Sequence, residues 1–202
     1  MTSRLAAGLL ALAVFSLPAA ASAGDAEGSY IVRGIGARPC ADYVQAVSTS
    51  PEAVKPFVSW MEGYLSGLNR LQPETFDITP LTSSAVVGQL VRNHCAANGT
   101  LRFETAVAQL MEAMSAYKVS AKSQLIEMTL GDAQAAVRQS TLLWMQQHMK
   151  EQGLFRGTPD GLFGADSRQA FLAYQKKHKL KETGVPDATT LVHFMQAAAA
   201  KQ

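Results

Sequence analysis

Apolar residues recur at helical spacing over most of the chain. Phe57, Trp60, Met61, Tyr64, Leu65 and Leu68 stand at i, i+3, i+4, i+7, i+8 and i+11, which is one stripe of an amphipathic helix. Ser50, followed by Pro51 and Glu52, reads as its N-cap with proline at the first helical position. Pro56 has no N–H and predicts a kink or a fresh start. Gly63 and Gly67 predict close approach by another helix. A shorter helix over residues 39–47 places Cys40, Tyr43, Val44 and Val47 on one side.

After a loop at residues 71–80, a Ser/Thr cluster restarts the helical pattern, and Val87, Val91 and Cys95 stack at i+4 spacing. Asn98-Gly99 closes that helix, and Thr100 caps another bearing Phe103, Val107, Leu110, Met111 and Met114. Residues 117–130 are helix-permissive and read as a connector able to continue it. Asp132 is expected to cap a further helix through Leu142, Met145 and Met149 to Gly153. Strand signals are scarce, with Tyr30-Ile31-Val32 the only short β-like run. The predicted class is therefore all-α.

The first 23 residues change the picture of where the fold begins. Arg4, an apolar run over residues 5–17 and the small-x-small ending Ala21-Ser22-Ala23 form an export signal, and the mature chain is expected to start at Gly24. The run is shorter than the roughly 20 residues that span a bilayer, and Pro18 closes it; a retained anchor is the alternative. The expected location is periplasmic or secreted, with no membrane association after cleavage. The formal net charge is +2, and Arg4 of the leader supplies one unit. So small a surplus argues against nucleic acid as a partner. Residues 119–202 carry 10 Lys/Arg against 7 Asp/Glu, which suits an anionic wall surface.

The two cysteines, Cys40 and Cys95, are an even count in an exported chain and predict one disulfide; two buried free thiols are the other reading. Neither has a His or Cys at metal-ligand spacing. The expected organisation is a leader over residues 1–23, a helical domain over 24–118, a connector over 119–131 and a second domain over 132–202.

The C-terminal third carries a specific order of residue types. Gln146 and Met149 precede Gly153-Leu154-Phe155, then come Gly157, Asp160-Gly161-Leu162-Phe163-Gly164, Ala170-Phe171, Tyr174-Gln175, Leu180, Gly184, Asp187 and Thr190-Leu191. Residues 134–197 thereby resemble the peptidoglycan-binding-like domain family. The resemblance implies a three-helix module and a carbohydrate–peptide ligand, with Arg156, Asp160, Phe163, Tyr174 and Gln175 as candidate ligand-binding residues. Read physically, Asp160 accepts hydrogen bonds from its own turn, Phe163 plugs the core, and Asp187 caps the last helix. Gln175 either bridges helix and loop or faces the ligand. The Gly-x-Pro-Asp turn occurs twice, at Gly157 and at Gly184, and predicts internal pseudo-symmetry in which each aspartate fixes a helix start. The basic run Lys176-Lys177-His178-Lys179, with Lys181, is either a solvated helix end or an attractor of anionic wall polymers.

Residues 38–115 more weakly resemble the HdeA-like exported helical proteins, a group that includes acid-activated chaperones and Tai-type immunity proteins. The two cysteines and the helix order carry that likeness, which implies a four-helix, disulfide-linked unit. The chain holds no convincing catalytic set. His94 adjoins a cysteine expected to be oxidised, His148, His178 and His193 lack metal-ligand spacing, and Gly161 and Gly164 lie in a turn without the Lys-Ser/Thr of a phosphate loop. The expected function is thus non-enzymatic and cofactor-free. The C-terminal domain binds or localises to peptidoglycan while the N-terminal domain engages a protein partner. A periplasmic acid-stress chaperone acting on protein clients is the alternative.

Overall fold

Ser50 caps the longest helix as its sequence predicts, its Oγ accepting from the Ala53 N–H at 3.2 Å. In the computed structural model, which describes residues 24–199, this helix follows α1 (Cys40–Thr49) and is α2 (Pro51–Leu71). The expected leader, residues 1–23, lies outside the described residues. α2 runs through Pro56 without interruption. Proline near a helix start forfeits one hydrogen bond, and the buried Phe57 and Met61 that follow hold the segment helical. α3 (Ser84–Ala97) and α4 (Phe103–Met114) complete a four-helix bundle.

The bundle core is aromatic. Tyr43, Phe57 and Phe103 meet pairwise with ring centroids 4.7–5.2 Å apart, and the Trp60 ring lies 5.9 Å from that of Phe103. A disulfide joins Cys40 of α1 to Cys95 of α3, and both residues are fully buried. Close approach is made at glycines other than those expected. A Cβ at Gly63 or Gly67 would meet open space, whereas one at Gly88 would fall 2.9 Å from the Tyr43 hydroxyl. The chain also closes on itself through backbone pairing, with the Cys40 N–H donating to the Leu101 carbonyl and the Phe103 N–H to that of Arg38.

The main departure from the all-α expectation lies in the connector. Residues expected to prolong α4 instead turn through Ser115–Tyr117 and form an antiparallel hairpin, β1 (Leu125–Leu130) with β2 (Ala133–Arg138). Gly131, at φ 57°, opens its two-residue loop, where a tight hairpin turn demands positive φ. Asp132 is the second loop residue and caps no helix. The hairpin buries Met128 and Val137 and is tied to the bundle by the Thr82 hydroxyl, which donates to the Ala136 carbonyl at 2.7 Å. Before it, Val119 pairs with Asp77 by two backbone hydrogen bonds, anchoring the connector on the 71–80 loop.

α5 (Gln139–Glu151), α6 (Ala165–Lys177) and α7 (Ala188–Ala199) form the C-terminal module. The start of α5 is capped by the connector: the Gln139 N–H donates to the Gln124 carbonyl and the Ser140 N–H to Ser123 Oγ. From Val32 onward the chain is one compact unit, and its buried cluster extends from Cys40 to Met195. Tyr117 joins the two helical groups, its ring 5.3 Å from that of Trp144 and its hydroxyl donating to the Met195 carbonyl. Residues 24–31 form a separate short unit with a turn held by Asp25, whose Oδ1 accepts from Glu27 and Ser29; Tyr30 and Ile31, read as β-like, are in no strand. Among the described residues no helix is long and apolar enough to cross a membrane.

Candidate functional site: two amide-pinned turns

The C-terminal module is organised around two buried glutamines. Gln146 of α5 and Gln175 of α6 are both fully buried and both spend their amides on the loop that follows their helix. Gln146 Oε1 accepts from the Asp160 and Gly161 N–H groups at 2.9 and 2.8 Å, while its Nε2 donates to the Leu162 carbonyl and to Ser167 Oγ. Gln175 Oε1 accepts from the Gly184 N–H at 2.9 Å, while its Nε2 donates to the Val185 carbonyl, Thr190 Oγ1 and Thr183 Oγ1. A primary amide presents an acceptor and two donors in one plane, so a single side chain can satisfy both polarities of a buried turn.

These contacts correct the register of the internal repeat. Gly161, Leu162 and Ser167 correspond to Gly184, Val185 and Thr190, a spacing of about 23 residues. The two Gly-x-Pro-Asp stretches are spaced differently and are therefore not structural equivalents. Both equivalent glycines sit at φ +73°. At Gly161 a Cβ would also fall 2.7 Å from the Gln139 carbonyl oxygen, so this position needs glycine twice over. The aspartates differ accordingly. Asp187 caps α7, its Oδ1 accepting from the Thr190 N–H at 2.9 Å. Asp160 accepts from the Leu162 N–H within its own turn, and α6 begins only after Gly164.

The repeat extends to the helix ends. The Leu154 N–H returns to the Met149 carbonyl after Gly153 at φ 72°, and the Leu180 N–H returns to the Gln175 carbonyl after Lys179 at φ 57°. The second copy thus holds a lysine in the left-handed position that glycine occupies in the first, at a cost of about 1 kcal/mol.

The candidate ligand residues fall into two groups. Arg156, Asp160 and Phe163 lie at the surface of the first turn. Residues 155–167 line a hollow of about 390 Å³ that Asp160 and Phe163 border, and Leu162 beside it is 53 % exposed. Arg156 and Asp166 face a neighbouring hollow of about 470 Å³. Phe163 is half-buried and lies nearly parallel to Phe171, with ring centroids 6.4 Å apart. Tyr174 and Gln175 are interior residues, 1 % and 0 % exposed. Gln175 bridges helix and loop. Tyr174 stacks on Phe194 at 4.2 Å, with its hydroxyl 2.8 Å from His193 Nδ1 and the His178 ring 4.4 Å away.

Burial pushes the Tyr174 phenol up to about 12 from an ordinary 10. The folded state therefore favours the neutral phenol, and the stability this contributes is complete below pH 10 and lost as pH rises through 12. In an ultraviolet phenolate titration, Tyr174 is expected to ionise above the ordinary phenol range and together with unfolding. Loss of that late step in Tyr174→Phe checks the assignment; a Tyr174 step near pH 10 with the fold intact contradicts it.

Gln146 is a functional support that the sequence reading does not include among the candidate site residues. The signal was present: Leu143-Trp144-Met145-Gln146 and Leu172-Ala173-Tyr174-Gln175 both place glutamine after a core residue on the inward face.

A three-helix module whose two connecting turns are pinned by buried amides is a scaffold that displays a loop, here residues 155–167. Residues 138–193 match the family model of a putative peptidoglycan binding domain. The match leaves the α1–α4 bundle outside it. No curated protein and no solved structure matches the chain.

Proposed function

We propose that the chain binds the peptidoglycan cell wall through its C-terminal module, within residues 132–202, and acts by binding, not by catalysis. The observation that carries this reading is the family match over residues 138–193, which spans both amide-pinned turns. The geometry supports a role for the first turn. Gln146 fixes it from inside, so its outer surface is preorganised and little entropy is lost when a ligand docks. Arg156 offers a cation there, Asp160 a carboxylate, and Leu162 with Phe163 an apolar contact. Gln175 and Tyr174 support the scaffold from the interior.

In this reading the protein is exported to the periplasm or beyond, the wall module localises it, and the bundle within residues 24–118 engages a protein partner. The test is co-sedimentation of the full chain with purified sacculi at neutral pH. Wild type is expected to pellet with the wall, and Arg156→Glu to raise the apparent Kd for sacculi about tenfold, equivalent to about 1.4 kcal/mol. Wild-type protein that stays in the supernatant overturns the reading.

A further inference from the structure

A second groove lies on the other side of Asp160, outside the turn just described. Residues 116–124 of the connector form one wall, the first turns of α5 form the other, and the enclosed volume is about 550 Å³. Asp160 lines both this groove and the hollow of the first turn, so the two are neighbours across one side chain. The connector wall lies outside the family match and belongs to this chain's own architecture.

We infer that this groove is a second subsite, resting on the wall-binding reading, which takes an N-acetylated amino-sugar unit carrying a short acidic peptide. Its walls are chemically suited to that ligand. Ser120, Gln124 and Ser140 offer hydroxyl and amide groups that match the hydroxyls and amides of such a strand. Trp144 is half-buried in the wall, its ring packed against Tyr117 and Phe194, and its exposed part adds apolar surface that a pyranose can contact. Lys118 is spent on the Pro73 carbonyl and the Thr75 hydroxyl. Lys122 is the exposed ammonium at this groove and faces a peptide carboxylate.

The groove is rigid before any ligand arrives. The Gln139 N–H donates to the Gln124 carbonyl at 2.8 Å, the Ser140 N–H to Ser123 Oγ at 2.9 Å and Arg138 Nη1 to the Ser123 carbonyl at 3.3 Å. Three hydrogen bonds thus lock the connector wall against the helix, and binding need not order it. An extended polymer lying over Asp160 would reach both hollows, and linking two weak sites on one strand raises apparent affinity without new contacts.

The test uses the full chain, intact sacculi, the soluble disaccharide–peptide released from sacculi by a muramidase, and a peptide-free N-acetylglucosamine oligomer. Ser140→Trp fills the groove from an exposed position, and Lys122→Glu reverses the ammonium. Both are expected to weaken binding of the disaccharide–peptide about tenfold with an unchanged thermal midpoint. Lys122→Glu is expected to leave binding of the peptide-free oligomer unaltered. If wild type binds sacculi, Arg156→Glu weakens that binding, and both groove variants bind as wild type does, the second subsite is refuted while the wall-binding reading stands. If wild type binds neither sacculi nor fragment, the underlying reading falls with it.

Discussion

Gln175→Leu is expected to lower stability by about 3–5 kcal/mol, because leucine matches the volume of glutamine but none of its hydrogen bonds. The exchange strands the buried Gly184 N–H and takes one hydrogen bond each from the Thr190 and Thr183 hydroxyls and from the Val185 carbonyl, which keeps the Asp187 N–H, each such loss costing about 0.5–1.5 kcal/mol. Each buried group left unsatisfied costs about 1–3 kcal/mol, which outweighs the gain from burying a more apolar side chain. For a chain of this size the thermal midpoint should fall by roughly 6–20 °C. Gln146→Leu should behave alike, since it strands the Asp160 and Gly161 N–H groups and leaves the Leu162 carbonyl with the Ser167 hydroxyl alone. Gln147→Leu, one residue on and exposed, is the control and should change stability by less than about 0.5 kcal/mol. If calorimetry finds Gln175→Leu and Gln147→Leu equally mild, the glutamines are not the supports described above.

Reduction of the Cys40–Cys95 disulfide is expected to cost about 4 kcal/mol. The bond closes a loop of 55 residues, and releasing it returns that loop's configurational entropy to the unfolded chain. It joins α1 to α3, two helices of the bundle whose core holds the Tyr43–Phe57–Phe103 cluster, so its loss loosens that bundle. In reductant the midpoint should fall by roughly 8–16 °C. Cys40→Ala/Cys95→Ala should lose slightly more, from the volume removed at two fully buried positions. Mass spectrometry of the unreduced protein after alkylation should find no added label. An unchanged midpoint in reductant, with the bond shown to be broken, contradicts the expectation.

Much of the architecture was legible because it is local. The stripe from Phe57 to Leu68, the Ser50-Pro51 helix start and the inward face of Val87, Val91 and Cys95 each depend on residues within a few turns of one another. Hydrophobic periodicity reports such faces directly. The C-terminal order from Gln146 to Leu191 was legible for a related reason. Its glycines, aspartates and core aromatics mark turns and helix faces at spacings that one small module requires.

The hairpin was hidden because its second strand, Ala133 to Arg138, is alanine-rich and reads as helix when taken alone. Strand Leu125–Leu130 pairs with it through space, and the burial of Met128 and Val137 outweighs the weak local preference. The repeat is legible in the sequence, but its register is not. Identical letters at Gly157 and Gly184 drew the alignment, whereas equivalence is set by which N–H each buried glutamine receives.

Among the described residues, the apolar stripes of the seven α-helices, the cysteine pair and the C-terminal order of residue types could be read from the chain alone, since each rests on short-range spacing or on residue type. It took the folded chain to make Gln146 and Gln175 interior supports, to leave Arg156 and Asp160 at the surface, and to bring the connector back as the wall of a second groove. Hydrogen-bond satisfaction in a buried turn and the shape of a groove are properties of segments brought together by folding, and no spacing along the chain records them.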